Sequence, residues 1–141
     1  MKTIQVKLGE RSYPIHVETG LVNKIPSILS DQNDGQRWII ISQYNLMELL
    51  GFELQANLKN AGFNCDFITL PVGEAAKSLN EFSRVISQMI EMRCDRSTII
   101  LALGGGVVGD VAGFVASSFM RGIEYYPVSY THLTLPTKRI V

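Results

Sequence analysis

The sequence predicts an α/β domain built on a doubly wound, mostly parallel sheet, and three observations carry that prediction. Short, mostly apolar runs fall at 38–41, 67–70 and 98–103 and read as strands, the first of the apolar, β-branched kind that is buried on both faces. Helical segments separate these runs, so strand and helix alternate as right-handed crossovers with helices on both faces require. A glycine-dense turn, Gly104-Gly-Gly106, follows the last run directly, at the carboxyl end of a strand, where sheets of this kind bind ligands.

Residues 3–8 and 12–18 read as two short strands about the turn residues Gly9-Glu-Arg11, an N-terminal β-hairpin. After Gly20 comes a weak helix to about residue 30, then the polar loop Asp31-Gln-Asn-Asp-Gly35. The strand at 38–41 leads into a helix predicted over 45–60 and closed by Gly62. Beyond the strand at 67–70, Ser78-Leu-Asn-Glu81 forms a capping box. Its serine accepts from a backbone N–H one turn on, its glutamate reaches back, and the helix so opened runs to about residue 93. The strand at 98–103 then feeds the glycine turn and an apolar helix. No internal repeat or low-complexity linker interrupts the series.

A chain of 141 residues with 46% hydrophobic content suffices for one domain around a single core. Lys plus Arg and Asp plus Glu number 13 each, without a charged block, which sets aside nucleic acid and membrane as partners and leaves a small molecule. The start, Met1-Lys-Thr-Ile-Gln-Val-Lys7, alternates apolar and polar residues unlike a signal peptide, and no run approaches membrane-spanning length; a cytoplasmic location is expected. Cys65 and Cys94 lack metal or redox spacing and read as buried or half-buried thiols.

The glycine turn supports two readings. A helix N-terminus leaves N–H groups unpaired and carries partial positive charge, and glycine lets a phosphate reach the backbone. Gly105, Gly109 and Gly113 also recur every four residues, so a stripe without side chains allows the helix to pack close to the sheet. Asp110 lies near the start of this helix among Val107, Val108, Val111, Ala112, Phe114, Val115 and Ala116. Its carboxylate either meets the helix dipole and caps free amides or accepts hydrogen bonds from the hydroxyls of a ribose or sugar.

Leu103-Gly-Gly-Gly-Val-Val-Gly-Asp-Val-Ala-Gly-Phe-Val-Ala116, with Phe119-Met-Arg-Gly-Ile123 after it, resembles the signature of the 3-dehydroquinate synthase family. Pro71-Val-Gly-Glu-Ala-Ala-Lys-Ser78 is similar to that family's second cofactor segment. The resemblance covers residues 1–126 and implies a Rossmann-like, NAD-binding domain whose C-terminal helical partner domain is missing. Other sugar-phosphate cyclases and iron-dependent polyol dehydrogenases share the two segments less closely; a non-catalytic nucleotide-binding module is the reading from another class. Met120-Arg-Gly122 favours dehydroquinate synthase over the polyol dehydrogenases.

The resemblance implies roles for particular residues. Gly73, Glu74 and Lys77 contact the cofactor, the carboxylate accepting from ribose hydroxyls. Gly105, Gly106, Val107, Val108, Gly109 and Asp110 hold the pyrophosphate and adjoining ribose. Asn45 lies near the adenosine, and Arg121 binds the substrate phosphate, which suits its planar fork of donors. The family usually has Asp where this chain has Gln43, which forms hydrogen bonds but brings no charge. The implied reaction converts 3-deoxy-arabino-heptulosonate 7-phosphate to 3-dehydroquinate and phosphate, with NAD reduced and reoxidised within the cycle. A divalent metal, zinc or cobalt, is held by the C-terminal domain, and the full-length enzyme forms a homodimer.

Neither metal ligands nor catalytic residues are expected in this stretch. The only histidines are His16, read as a solvent-facing strand residue, and His132, whereas a catalytic zinc needs about three protein ligands. The chain is accordingly expected to lack synthase activity alone and to bind NAD weakly. The resemblance stops near Pro127, and residues 127–141 are read as a non-native tail. Val128-Ser-Tyr-Thr-His-Leu-Thr-Leu-Pro-Thr137 matches, residue for residue, the translation of a transposon-type sequencing adapter.

Overall fold

The computed structural model describes residues 2–9, 13–17 and 21–129. The N-terminal hairpin is present: β1 (Lys2–Val6) pairs antiparallel with β2 (Tyr13–Val17), Lys2 opposite Val17 and Val6 opposite Tyr13. The side-chain orientation expected for His16, and the tail from residue 130 onward with His132, lie outside the described residues.

Four parallel strands form the main sheet: β3 (Arg37–Gln43), β4 (Asn64–Leu70), β5 (Ile99–Gly104) and β6 (Tyr125–Ser129), in spatial order β4-β3-β5-β6. The chain steps outward from β3 to β4, returns across β3 to β5, and continues to β6. The direction of winding therefore reverses between β3 and β5, and a crevice opens beyond their carboxyl ends.

Side chains alternate between the faces of each strand. On one face Trp38, Ile40, Leu101, Leu103, Tyr126 and Val128 pack with α1 (Ile25–Leu29) and with Leu54 and Leu58 of α3 (Phe52–Asn60). On the other, Ile39, Ile41, Ile68, Leu70, Ile100 and Ala102 meet Val85 and Met89 of α4 (Leu79–Glu91) and Val108, Val111, Ala112 and Val115 of α5 (Gly106–Ser118). The sheet is thus covered on both sides, as the unbroken apolar runs of β3 and β5 demand. Among the described residues no helix is long and apolar enough to cross a membrane.

The elements differ from expectation in three places. The 45–60 helix starts earlier, as a single turn α2 (Tyr44–Leu46), and passes through a π-helical turn, Met47–Gly51, before α3. Met47 is fully buried and its sulfur occupies the place where any Cβ on residue 51 would go, so the side chain lies across bare backbone. The capping box is half formed: Ser78 Oγ accepts from Glu81 N at 3.2 Å, but the Glu81 carboxylate turns to Arg84 Nε at 2.8 Å. A charge-assisted bond to a guanidinium outcompetes a neutral amide. Arg84 also donates to Thr69 O at 2.6 Å, tying the second turn of α4 to the end of β4. Finally, β4 begins three residues before the predicted run, because Asp66 pairs with Arg37 on the neighbouring strand. Residues 127–129, the first of the segment set apart above, complete β6.

Candidate functional site

The crevice between β3 and β5 is pinned by Ser42, fully buried, whose hydroxyl donates to Leu103 O at 2.6 Å. Just beyond it the chain turns through Gly104 at φ +153°, where a Cβ would lie 2.8 Å from Val108 Cγ2. Only glycine fits there. Gly105 is the N-cap of α5 and brings no capping side chain, so the first amides of the helix have neither an intrahelical nor a side-chain acceptor. Gly109 is the first to return into the helix, donating to Gly105 O at 3.0 Å.

The glycine stripe divides by function. A Cβ on Gly105, Gly106 or Gly109 would meet nothing within 4 Å, whereas one on Gly113 would lie 3.2 Å from the Tyr125 hydroxyl on β6. The expected close packing against the sheet therefore holds for Gly113 alone. Gly105 and Gly109 face open space because they precede the point where α5 settles against β6. Bare backbone with room in front of it is a cradle for an anion.

Across this opening stands the loop after β4. Gly73 adopts φ +85° and ψ −166°, a region open essentially to glycine. A 3₁₀ turn, Glu74–Ala76, follows, anchored by buried Ala76 against the α4–α5 face of the sheet. Glu74 is exposed, and Lys77 Nζ lies 2.9 Å from Asp110 Oδ2. The Asp110 hydrogen bond and charge hold the Lys77 ammonium above its ordinary range, Glu74 adding to the effect. Asp110 does not cap α5; its exposed carboxylate points across the opening to the lysine. Beside the pair is a cleft of about 320 Å³ lined by Lys77, Ser78, Leu79, Phe82, Asp110, Val111 and Phe114.

The structure thus brings Gly73, Glu74 and Lys77 to the same end of the sheet as Gly105, Gly106, Val107, Val108, Gly109 and Asp110. Asn45 is exposed in α2, directly after β3, at that same end. Arg121 is not part of the cluster: it sits beyond the far end of α5, whose 13 residues span about 20 Å at 1.5 Å each. There Met120 and Arg121 both take left-handed backbone, φ +48° and +67°, before Gly122. Among the described residues no three His, Cys, Asp or Glu side chains come together to hold a metal ion. Gln43, noted in the sequence only as a departure, closes the loop from below: its Nε2 lies 3.2 Å from Pro71 O and 3.1 Å from Gly73 O. Ser42 and Ala76 were missed altogether, since a small residue in or near an apolar run gives no signal of its partners.

Comparison with known proteins agrees with the fold. The family model for the 3-dehydroquinate synthase N-terminal region matches residues 67–136, running nine residues past Pro127, where the resemblance was expected to stop. A 3-dehydroquinate synthase of Desulforamulus reducens is 40% identical over 133 residues, 94% of this chain and 37% of that protein. Among solved structures, 2-deoxy-scyllo-inosose synthase complexed with carbaglucose-6-phosphate, NAD+ and Co2+ superposes with a TM-score of 0.78 at 22% identity, over 91% of this chain and 34% of that one. ValA, the 2-epi-5-epi-valiolone synthase of Streptomyces hygroscopicus subsp. jinggangensis, with NAD+ and Zn2+ bound, gives 0.70 at 27%, over 88% and 34%. The chain spans little more than a third of the length of these relatives, and within that span it belongs to the 3-dehydroquinate synthase family by its N-terminal region.

Proposed function

We propose that this chain is the NAD-binding part of a 3-dehydroquinate synthase, the enzyme that converts 3-deoxy-arabino-heptulosonate 7-phosphate to 3-dehydroquinate and phosphate. The observation that carries the reading is the uncapped, glycine-lined start of α5, open to solvent opposite the Lys77–Asp110 pair. The residues present fit a dinucleotide. Amides of Gly106 and Val107 donate to the pyrophosphate, with the partial positive charge of the helix end behind them. Glu74 and Asp110 accept from ribose hydroxyls, and Lys77 keeps two nearby carboxylates from repelling each other. Asn45 lies toward the adenosine. When bound, NAD accepts a hydride from a substrate alcohol and later returns it.

Zinc or cobalt, the small-molecule substrate's remaining contacts and the homodimer belong to the whole enzyme; Arg121, at the other end of α5, is the substrate-phosphate residue in this reading. The chain alone binds NAD without turning over substrate. Calorimetric titration of NAD into the chain and into Gly106→Val tests the reading. The valine meets no protein atom at its Cβ, so the variant folds and loses binding; equal affinity in both would leave the glycines without a ligand-binding role.

A further inference from the structure

Gln43 is the last residue of β3 and is aligned with Leu70 at the end of β4. From that register its side chain reaches past the strand end, and Nε2 donates to the carbonyls of Pro71 and Gly73. Two carbonyl partners require an NH₂ group with both hydrogens engaged; a carboxylate in this place has acceptors only and repels both. The backbone so held turns at Gly73 through a region open essentially to glycine, where no side chain restricts it. Directly after it come Glu74 and Lys77, the latter bonded to Asp110 on α5.

We propose that Gln43 is a positioning residue for the nucleotide site: its amide fixes the 71–73 backbone so that Glu74 and Lys77 face the open end of α5. This rests on the nucleotide reading of that end. It also gives the uncharged residue a use: the amide replaces a charge at the site with control over the neighbouring loop.

The test uses the full chain with Gln43→Met, Gln43→Glu, Lys77→Met and the Gln43→Met/Lys77→Met double variant, titrated with NAD, and with backbone hydrogen exchange of residues 72–77 measured without nucleotide. Loss of two neutral hydrogen bonds weakens NAD binding in Gln43→Met by about tenfold. The double variant loses less affinity than the two single losses combined, because Gln43 acts in part through the lysine's placement. Gln43→Glu binds as weakly as Gln43→Met at pH 8 and regains affinity as the pH falls toward the ordinary carboxyl range of about 4.3, where the new side chain takes up a proton and donates one bond. Glu48, Glu74, Lys77 and Asp110, the charged groups on the flanking elements, are common to both variants, so Gln43→Met at each pH cancels their titration. Exchange at 72–77 rises in Gln43→Met while β3 and β5 stay protected.

Affinity equal to the parent chain in both Gln43 variants would overturn the proposal. If the parent takes up no NAD, the nucleotide reading falls, and the exchange measurement still decides: unchanged protection at 72–77 removes the role assigned to Gln43.

Discussion

Two glycines at the head of α5, two positions apart, should respond to the same substitution in opposite ways. At Gly104 an alanine methyl would sit 2.8 Å from Cγ2 and 3.0 Å from Cβ of Val108, on backbone at φ +153°. Val108 is buried, and a β-branched side chain in a helix has essentially one rotamer, so it cannot step aside. Backbone strain of about 1–3 kcal/mol adds to overpacking of similar size, which puts Gly104→Ala at a loss of about 2–6 kcal/mol, a large share of the roughly 5–15 kcal/mol that holds a domain folded. At Gly106 the same methyl meets nothing, and alanine reduces the entropy of the unfolded chain, so Gly106→Ala gains about 0.4–1 kcal/mol. Its NAD affinity falls, because the methyl stands where the pyrophosphate approaches. Urea unfolding followed by Trp38, the single and fully buried tryptophan, reads stability; calorimetry reads binding. Unfolding of Gly104→Ala at the parent's midpoint, or destabilisation of Gly106→Ala with its affinity intact, would refute these assignments.

Two further outcomes are expected. The Cys65 thiol is pushed up to about 12, first by burial and then by the Asp66 charge. A raised folded-state value means that the stability it contributes is complete below pH 9 and is lost as pH rises toward 12, at roughly 1.4 kcal/mol per unit. Cys65→Ala should flatten that decline, and an equally steep curve in the variant would assign it to other groups. The adapter reading of residues 128–137 predicts that amplification from source DNA across codon 127 returns different codons there; recovery of the same ten codons from the genome would overturn it.

What could be read from the chain without its structure follows from locality. Burial on both faces shows in the run 38–41 itself and 98–103 reads as a strand, so β3 and β5 were legible, though their order in the sheet was not. The start of β4 was not, because Asn64 and Asp66 look like loop residues until Arg37 is brought beside them by the pairing of β3 with β4. The π turn depends on the shape of one methionine against one glycine, and the fate of Glu81 on which of two donors is the better one. At the site, glycine density and the carboxylate after it marked the head of α5, and the resemblance supplied the loop at 73–77. The division of the stripe at Gly113 and the bonds of Gln43 depend on strand register, which no local pattern encodes.

The reversal of winding between β3 and β5 also has a bearing on time. The unit from β3 to β4 can close over a short stretch of chain, but the bond from Ser42 to Leu103 joins residues 61 apart. Bringing such distant segments together carries more loop entropy and comes later along a folding path. The crevice does not exist until that junction has formed, so a nascent or partly folded chain has nowhere to lodge a dinucleotide. A ligand seated there grips the molecule across this long-range seam and slows its opening, while leaving the speed of its assembly unchanged.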